Sequence, residues 1–351
     1  MSFSEVLLEW HSGIDRNLPW KATRDAYKIW LSEIILQQTR VAQGIPYYNK
    51  FIQKYPTIND LAAADLHEVL KLWEGLGYYS RARNMHTAAN TIVHDFEGIF
   101  PKDYSALLKI KGIGKYTAAA IASFAFNMPL AVVDGNVYRV LARYYGIDTP
   151  IDTAQGQQIF SDLAQQLLPP SDTAKYNQAI MDFGAIQCVP KSPKCTTCPL
   201  EASCRAYAVK KVSSFPVKEK RLTRRDRYFY YMIIISSGKI FLRQRKNKDI
   251  WHLLYEFPYK EYASSIDEAS VEKDFYCLFM EKISSMHLCI TNSVQMLTHQ
   301  NIHASFSLIT LKDCYAIDFE GVWVDISTVG NYAYPKIVKD FLDKNFYELI
   351  K

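Results

Sequence analysis

Residues 188–204 read CVPKSPKCTTCPLEASC, four cysteines spaced x6, x2 and x5 within 17 positions of a chain that has seven. The N-terminal stretch MSFSEVLLEWHSGID carries acidic residues where a secretion signal needs basic ones, so the chain is expected in the cytoplasm with its thiols reduced, not paired. Four thiolates at this spacing can wrap one tetrahedral ion or one cubane cluster, and the spacing leaves zinc and iron both open. The other three, Cys277, Cys289 and Cys314, are scattered and are expected to be buried.

Upstream of the cysteines, apolar residues recur at helical spacing in 61–73, 116–126 and 157–168, and no segment alternates, so residues 1–208 are predicted to be all-helical. The uncharged run 116–133 is long enough to raise a membrane span. Asn127, Pro129 and its many Ala and Ser residues make it a buried helix followed by a loop, and no membrane partner is expected. With 49% apolar and 22% charged residues, the composition is that of a globular protein and excludes a disordered one.

Downstream, VKKVSSFPVKEKRLTRRDR (209–227) holds eight basic and two acidic residues in a chain whose net charge is only +5. It reads as an exposed interdomain linker, either simply solvated or lying along phosphates. Beyond it, YFYYMIIISSGKIFLRQR (228–245) is predicted to form two strands joined at Ser236, Ser237 and Gly238. Further strands are predicted at 302–311 and 322–326 and helices at roughly 266–284 and 336–350, the latter opened by Pro335, which makes 228–351 an α+β domain.

Two carboxylates stand out. In IWLSEIILQQTR (29–40), Glu33 has Ile29, Trp30, Leu36 and Gln37 as helical neighbours, an apolar setting that raises a carboxyl pKa and suits either a proton donor or a satisfied structural Glu. In AVVDGNVYRVLARYYG (131–146), Asp134 precedes a helical run as an N-cap residue does. Between them, LLKIKGIGKYTAAAIASFAF (107–126) sets Gly112 and Gly114 between two helical runs, where free amides at a helix start can bind phosphate or merely make a turn.

Together these motifs resemble the endonuclease III superfamily of DNA glycosylases: the x6, x2, x5 cysteines are similar to its [4Fe-4S] loop and the paired glycines to its helix-hairpin-helix. SE-x3-QQT (32–39) is similar to the signature of the MutY adenine-specific branch. The resemblance implies one [4Fe-4S] cluster on Cys188, Cys195, Cys198 and Cys204, with Glu33 as the catalytic acid and Asp134 as the group that stabilises the charged sugar. Tyr116 stands where lyase-active members carry a nucleophilic Lys. Neighbouring Lys115 would project about 100° around the helix and is not assigned that chemistry. By the same likeness Tyr116 and Asn136 serve the sugar and the catalytic groups, and Arg16, before LPW, serves the adenine pocket. Gln37 matches in the signature, Gln38 and Tyr78 of WEGLGYYSRARN (73–84) fill the gap in the DNA stack, and Gly112 and Gly114 meet phosphate.

Residues 228–351 resemble the Nudix-like domain with which this family reads 8-oxoguanine, best at KDIWHLLYEFP (248–258). Leu297, Thr298 and His299 of LTHQ (297–300) occupy the place of its lesion-contacting loop. A Nudix hydrolase motif needs a Gly ahead of its carboxylates, yet none lies between Gly238 and Gly321, so pyrophosphate hydrolysis is not expected.

The implied architecture is multidomain: an all-α helix-hairpin-helix glycosylase region (1–208), a basic linker (209–227) and the α+β Nudix-like domain (228–351). The helical region comprises a six-helix-type lobe over about 21–132 and a second lobe of 1–20 plus 133–208 with the cluster loop 188–204. The implied activity is that of a monomeric, monofunctional adenine glycosylase acting on double-stranded DNA with A:8-oxoG or A:G mispairs and leaving an abasic site. The alternatives are a bifunctional glycosylase/lyase and a non-catalytic iron–sulfur DNA-binding protein.

Overall fold

A computed structural model of the protein describes residues 1–219, 223–314, 317 and 319–346, apart from the side chains of 281 and 288–291. The chain divides into two compact units, 1–63 with 84–221, and 64–83 with 222–351.

The first unit is helical throughout its described residues. In chain order the helices are α1 (Phe3–Ser12), α2 (Ala26–Leu36), α3 (Val41–Lys54), α4 (Ile58–Ala63), α5 (Leu66–Leu72), α6 (Ser80–Asp95), α7 (Tyr104–Lys109), α8 (Lys115–Phe126), α9 (Gly135–Tyr145), α10 (Ala154–Gln166), α11 (Thr173–Ile186) and α12 (Arg205–Ala208), with α5 and the start of α6 in the second unit. Their ends follow from local chemistry. Ser2 and Glu5 form a reciprocal capping box on α1, Asp25 caps α2 through the Tyr27 and Lys28 amides, and Asn127 ends α8 in the left-handed conformation two residues before Pro129. The alanines of α8, Ala118, Ala119, Ala120 and Ala122, are buried and let it pack closely on α2, which is buried along most of its length. A separate core joins Phe3 and Leu7 of α1 to Val140 and Leu141 of α9, Phe160 of α10 and Tyr176, Ile180 and Phe183 of α11.

The second unit is built on a mixed sheet of β1 (Arg225–Ser236), β2 (Lys239–Gln244), β3 (Tyr255–Glu256), β4 (Tyr259–Tyr262), β5 (Ile283–Met296), β6 (Gln300–Leu311) and β7 (Val322–Asp325), in the order β3-β2-β1-β6-β5 with β4 on β1 and β7 on β2. β1 and β6 run parallel from Arg225↔Gln300 to Ile235↔Thr310, and the other pairs are antiparallel. Both faces of β1 are covered, which explains its unbroken apolar run. Tyr230, Met232 and Ile234 pack on Val271, Phe275 and Phe279 of α13 (Glu268–Phe279), while Tyr231 on the other face stacks on Phe306, which stacks in turn on Phe341 of α14 (Lys336–Phe341) at 4.1 Å.

Several expectations are corrected. The helix predicted over 266–284 stops at Phe279, and Ile283 opens β5, which the sequence did not signal: as the edge strand, with Ser285, Asn292, Ser293 and Gln295 along it, it lacks a clean apolar alternation. The helix predicted to 350 ends at Phe341 and passes into a wider turn, Leu342–Phe346; 347–350 lie outside the described residues. Most described residues of the basic stretch are exposed as expected, but it is tied down at several points and Arg227 is not exposed. Val217 O accepts from Ile151 N, Glu219 N donates to Asp152, and Arg227 is buried in β1 with ion pairs to Asp249 and Glu261; Lys220 and Arg221 lie outside the described residues. Cys277 and Cys314 are exposed instead of buried, and the Cys289 side chain lies outside the described set. Among the described residues no helix is long and apolar enough to cross a membrane.

Candidate active site

Glu33, Gln37, Gln38, Tyr116, Asp134, Asn136, Arg16 and Gly114 all line one cavity of about 950 Å³ in the first unit. Glu33 comes from the buried middle of α2 and is 7% exposed. Burial raises its pKa to about 7, against the pull of a 2.5 Å hydrogen bond donated by Tyr116 Oη, and the negative charge of Asp134 adds to the rise. A carboxyl so placed keeps its proton near neutral pH and has one oxygen fixed by Tyr116. Burial also pushes the Tyr116 hydroxyl well above its usual value, so it remains a donor.

Asp134 is the N-cap of α9, accepting from the Asn136 and Val137 amides at 2.8 Å each, while its second oxygen accepts from Asn136 Nδ2 at 2.7 Å. Burial raises its pKa and these hydrogen bonds hold it back, so the carboxylate is fixed and solvated by amides. Asn136 is held in turn by Arg139 Nη2 at 2.8 Å, and Gly184 of α11 makes room for it, since a Cβ at 184 would stand 2.6 Å from the Asn136 Cβ. The capping role and the cavity-facing position coexist in one side chain.

At the hairpin, Gly112 has φ +88°, and a Cβ there would lie 2.8 Å from Asn84 Cβ, so glycine is required on both counts. Gly114 meets no such constraint; it caps α8 without a side-chain bond and leaves open space at the helix start, beside the cavity. Lys115 also borders the cavity, exposed on the first turn of α8. Gln37 donates to Thr117 Oγ1 at 3.4 Å, and exposed Gln38 sits at φ +55°.

Sequence reasoning missed a third carboxylate in the cavity wall, beside Glu33 and Asp134. Asp182 is fully buried on α11 and accepts from Arg16 Nη1 at 2.6 Å and from Gln178 Nε2 at 3.3 Å, pairs with His11 Nε2 at 2.9 Å, and accepts from Lys21 Nζ. Burial would raise its pKa, yet the bonds from His11, Lys21 and Arg16 outweigh it and bring the pKa down to about 2. Glu33 and Asp182 therefore share a cavity with Asp182 ionised and Glu33 near its half-titration point at neutral pH. The signal was the same one that marked Glu33: a lone acid inside an apolar helical run, here IMDFGA (180–185).

Tyr78, Leu297, Thr298 and His299 do not line this cavity and form a separate group in the second unit. Residues 297–299 are the tip of the β5–β6 hairpin, closed by Leu297 N donating to Gln300 O and tied by Arg224 to Leu297 O at 3.0 Å. Tyr78 is 47% exposed at φ +47°, and its hydroxyl shares a short hydrogen bond with Thr298 Oγ1.

The four cysteines of 188–204 surround one pocket between α9, α11 and α12. Burial, and then the other sulfurs' charges, raise the Cys195 and Cys198 thiols, the latter to about 11, so four thiolates here require a compensating cation. Arg143 supplies part of it, with Nη1 at 3.4 Å from Cys188 Sγ, and it also binds the carbonyls of Val189, Pro190, Val212 and Phe215. The four sulfurs line that one pocket together with the Arg143 guanidinium. Four thiols around one pocket are a donor set that fits a metal ion or a metal–sulfur cluster.

Residues 31–166 match the family described as HhH-GPD superfamily base excision DNA repair protein, and 230–344 match the NUDIX domain. The chain is 34% identical to an adenine DNA glycosylase of Buchnera aphidicola subsp. Schizaphis graminum over 97% of its own length and 98% of the relative's. It is 45% identical to the adenine DNA glycosylase of Homo sapiens over 58% of this chain and 39% of that protein. Among solved structures, a thermostable thymine-DNA glycosylase superposes with a TM-score of 0.55 at 32% identity, covering 59% of this chain and 95% of that one. With both its helical and its Nudix-like part accounted for, this chain belongs to the adenine DNA glycosylase family.

Proposed function

We propose that the protein excises adenine paired with 8-oxoguanine or guanine in double-stranded DNA, acting as a monomer and leaving an abasic site. The observation that supports this most is the buried Glu33 carboxyl, with its pKa at about 7, in one cavity with Asp134 and Tyr116. An adenine extruded into the cavity, at a flipping cost of a few kcal/mol, receives a proton from Glu33 at N7 and becomes a leaving group. As the glycosidic bond lengthens, positive charge grows on the sugar, and the amide-anchored Asp134 carboxylate stabilises it; Glu33, now ionised, takes a proton from the attacking water. Arg16 faces the base, with Asp182 behind it, and Tyr116 and Asn136 keep the two carboxyls in place.

On the same reading, Gly112 and Gly114 present α8 amides to a phosphate, Gln38 and Tyr78 fill the gap in the stack, and Gln37 belongs to the same substrate-binding set. Leu297, Thr298 and His299 meet the oxidised guanine. Cys188, Cys195, Cys198 and Cys204 would hold one [4Fe-4S] cluster, which cross-links their loop when bound. Four irons per chain, lost in Cys198→Ser, are the expected analysis. A cytoplasmic location, at the nucleoid if the cell is bacterial, goes with this reading.

Lys115 beside the cavity gives the lyase alternative its one point of support. Borohydride added during turnover on A:8-oxoG DNA decides between them. No covalent adduct, with strand breaks appearing only after alkali, is expected; a trapped protein–DNA adduct would contradict monofunctional hydrolysis.

A further inference from the structure

Segment 64–83 lies in the second unit and is built around Tyr78. Its loop is braced from inside: Trp73 Nε1 donates to Gly77 O at 3.0 Å, and the Arg81 guanidinium donates to Leu76 O and Gly77 O while lying over the Trp73 and Tyr78 rings. Left-handed backbone at a tyrosine persists only where its surroundings over-determine it. Here the surroundings include a second element, the strap 331–334.

The strap is clasped on both sides of Tyr334, whose side chain is fully buried. Its N–H donates to Glu74 Oε1 at 2.9 Å, and its carbonyl accepts from Tyr79 Oη at 3.0 Å. Lys71 Nζ bridges the clasp, donating to Glu74 Oε2 and to Tyr332 O at 2.8 Å each. Beyond the strap the chain enters α14, whose Ile337 N donates to Gln295 of β5 and whose Phe341 stacks on Phe306 of β6. Those two strands carry the hairpin that ends in Thr298. The Tyr78 loop and the Thr298 tip are thus tied twice, directly through their hydroxyls and indirectly through the strap.

We infer that Glu74 and Tyr79, by clasping the Tyr334 backbone, are positioning residues that hold Tyr78 against Thr298 and thereby set the preference for 8-oxoguanine over guanine opposite the excised adenine; this rests on the functional reading above. Glu74 is not among the residues that line the cavity holding Glu33. Its removal takes away the Glu74 bond to the Tyr334 amide and the Glu74 end of the Lys71 bridge, which loosens the loop on the strap.

Single-turnover rates of the full-length protein on A:8-oxoG and A:G duplexes test this through their ratio. Glu74→Ala is expected to lower the ratio roughly tenfold, the scale of one lost hydrogen bond to a charged group. Glu74→Gln, which keeps an oxygen for Tyr334 N–H, is expected to restore it to within about twofold. In a Thr298→Val background Glu74→Ala should lower the ratio no further, since the clasp acts through that contact. A wild-type ratio in Glu74→Ala, or losses that multiply in the double variant, would overturn the inference. If thermal melting shows Glu74→Ala unfolded, Tyr79→Phe decides: a reduced ratio supports the clasp and an unchanged one refutes it. Absence of adenine release by the wild-type protein from either duplex would overturn the functional reading instead, so the two failures are told apart.

Discussion

Glu33 must be neutral to give a proton and ionised to take one back, and its surroundings hold it near the balance point. Burial lifts its pKa from 4.5 to about 7, so the folded state keeps a proton that the unfolded chain has released. Stability from this group is complete below about pH 4.5 and is lost as pH rises to about 7, because between those values the native state binds more protons than the unfolded one. Glu33→Gln should therefore abolish function and stabilise the fold together: adenine release falls by about two to four orders of magnitude, while thermal stability at pH 8 rises, by on the order of 3 kcal/mol. Unchanged release with unchanged melting would contradict both assignments. The rate of the wild-type protein is expected to decline above about pH 7 as Glu33 ionises. Since the Tyr116 hydrogen bond opposes the upward shift, Tyr116→Phe should move that decline to higher pH, and a pH–rate profile that moves downward would exclude the arrangement. At this scale the apolar run around Glu33 was readable in the sequence. The partners of Asp182 were not: His11, Arg16 and Lys21 reach it across more than 160 residues, and such pairings leave no local trace.

Helix α9 places chemistry at its start and anchors at its later turns. Asp134 caps it, Arg139 binds Asn136, Gly184 O and Cys188 O, and Arg143, one turn further on, grips the cysteine loop. The cap and the proposed charge stabilisation can be separated. Asp134→Asn keeps an oxygen for the Asn136 and Val137 amides, so melting should change little while excision falls sharply; Asp134→Ala should lose the activity and also about 1 kcal/mol of stability. Equal melting losses in both variants would mean that the carboxylate charge, not the cap, holds the helix. At the element scale the capping residues, the stop at Asn127 and Pro129, and the β1–β2 hairpin at Ser237 and Gly238 were all written locally. β5 was not, because an edge strand needs no buried face along its whole length, and Arg227 was misread because a buried arginine paired with Asp249 and Glu261 has the same letters around it as a solvated one.

For the whole molecule, the family and the two-part architecture were legible because the cysteine spacing and SE-x3-QQT are rare combinations, whereas 64–83 lies in the second unit with its Glu74 and Tyr79 side chains bonded to the Tyr334 backbone, a long-range pairing that no motif encodes. A chain cut after Lys210 would strip that segment of its strap as well as the hairpin tip. Such a truncation is expected to lower the melting temperature and to lose preference for 8-oxoguanine; Thr298→Val, which alters one hydroxyl, should reduce the preference with little change in melting. Undiminished preference in both would remove the second unit from lesion reading. The central claim, that this chain removes adenine from a mispair by acid-assisted hydrolysis, is tested most directly by single-turnover adenine release from a short duplex with adenine opposite 8-oxoguanine beside a matched adenine–thymine duplex. Release from the first and not the second, with strand breakage only after alkali, is the expected result, and no release from the folded protein would contradict it.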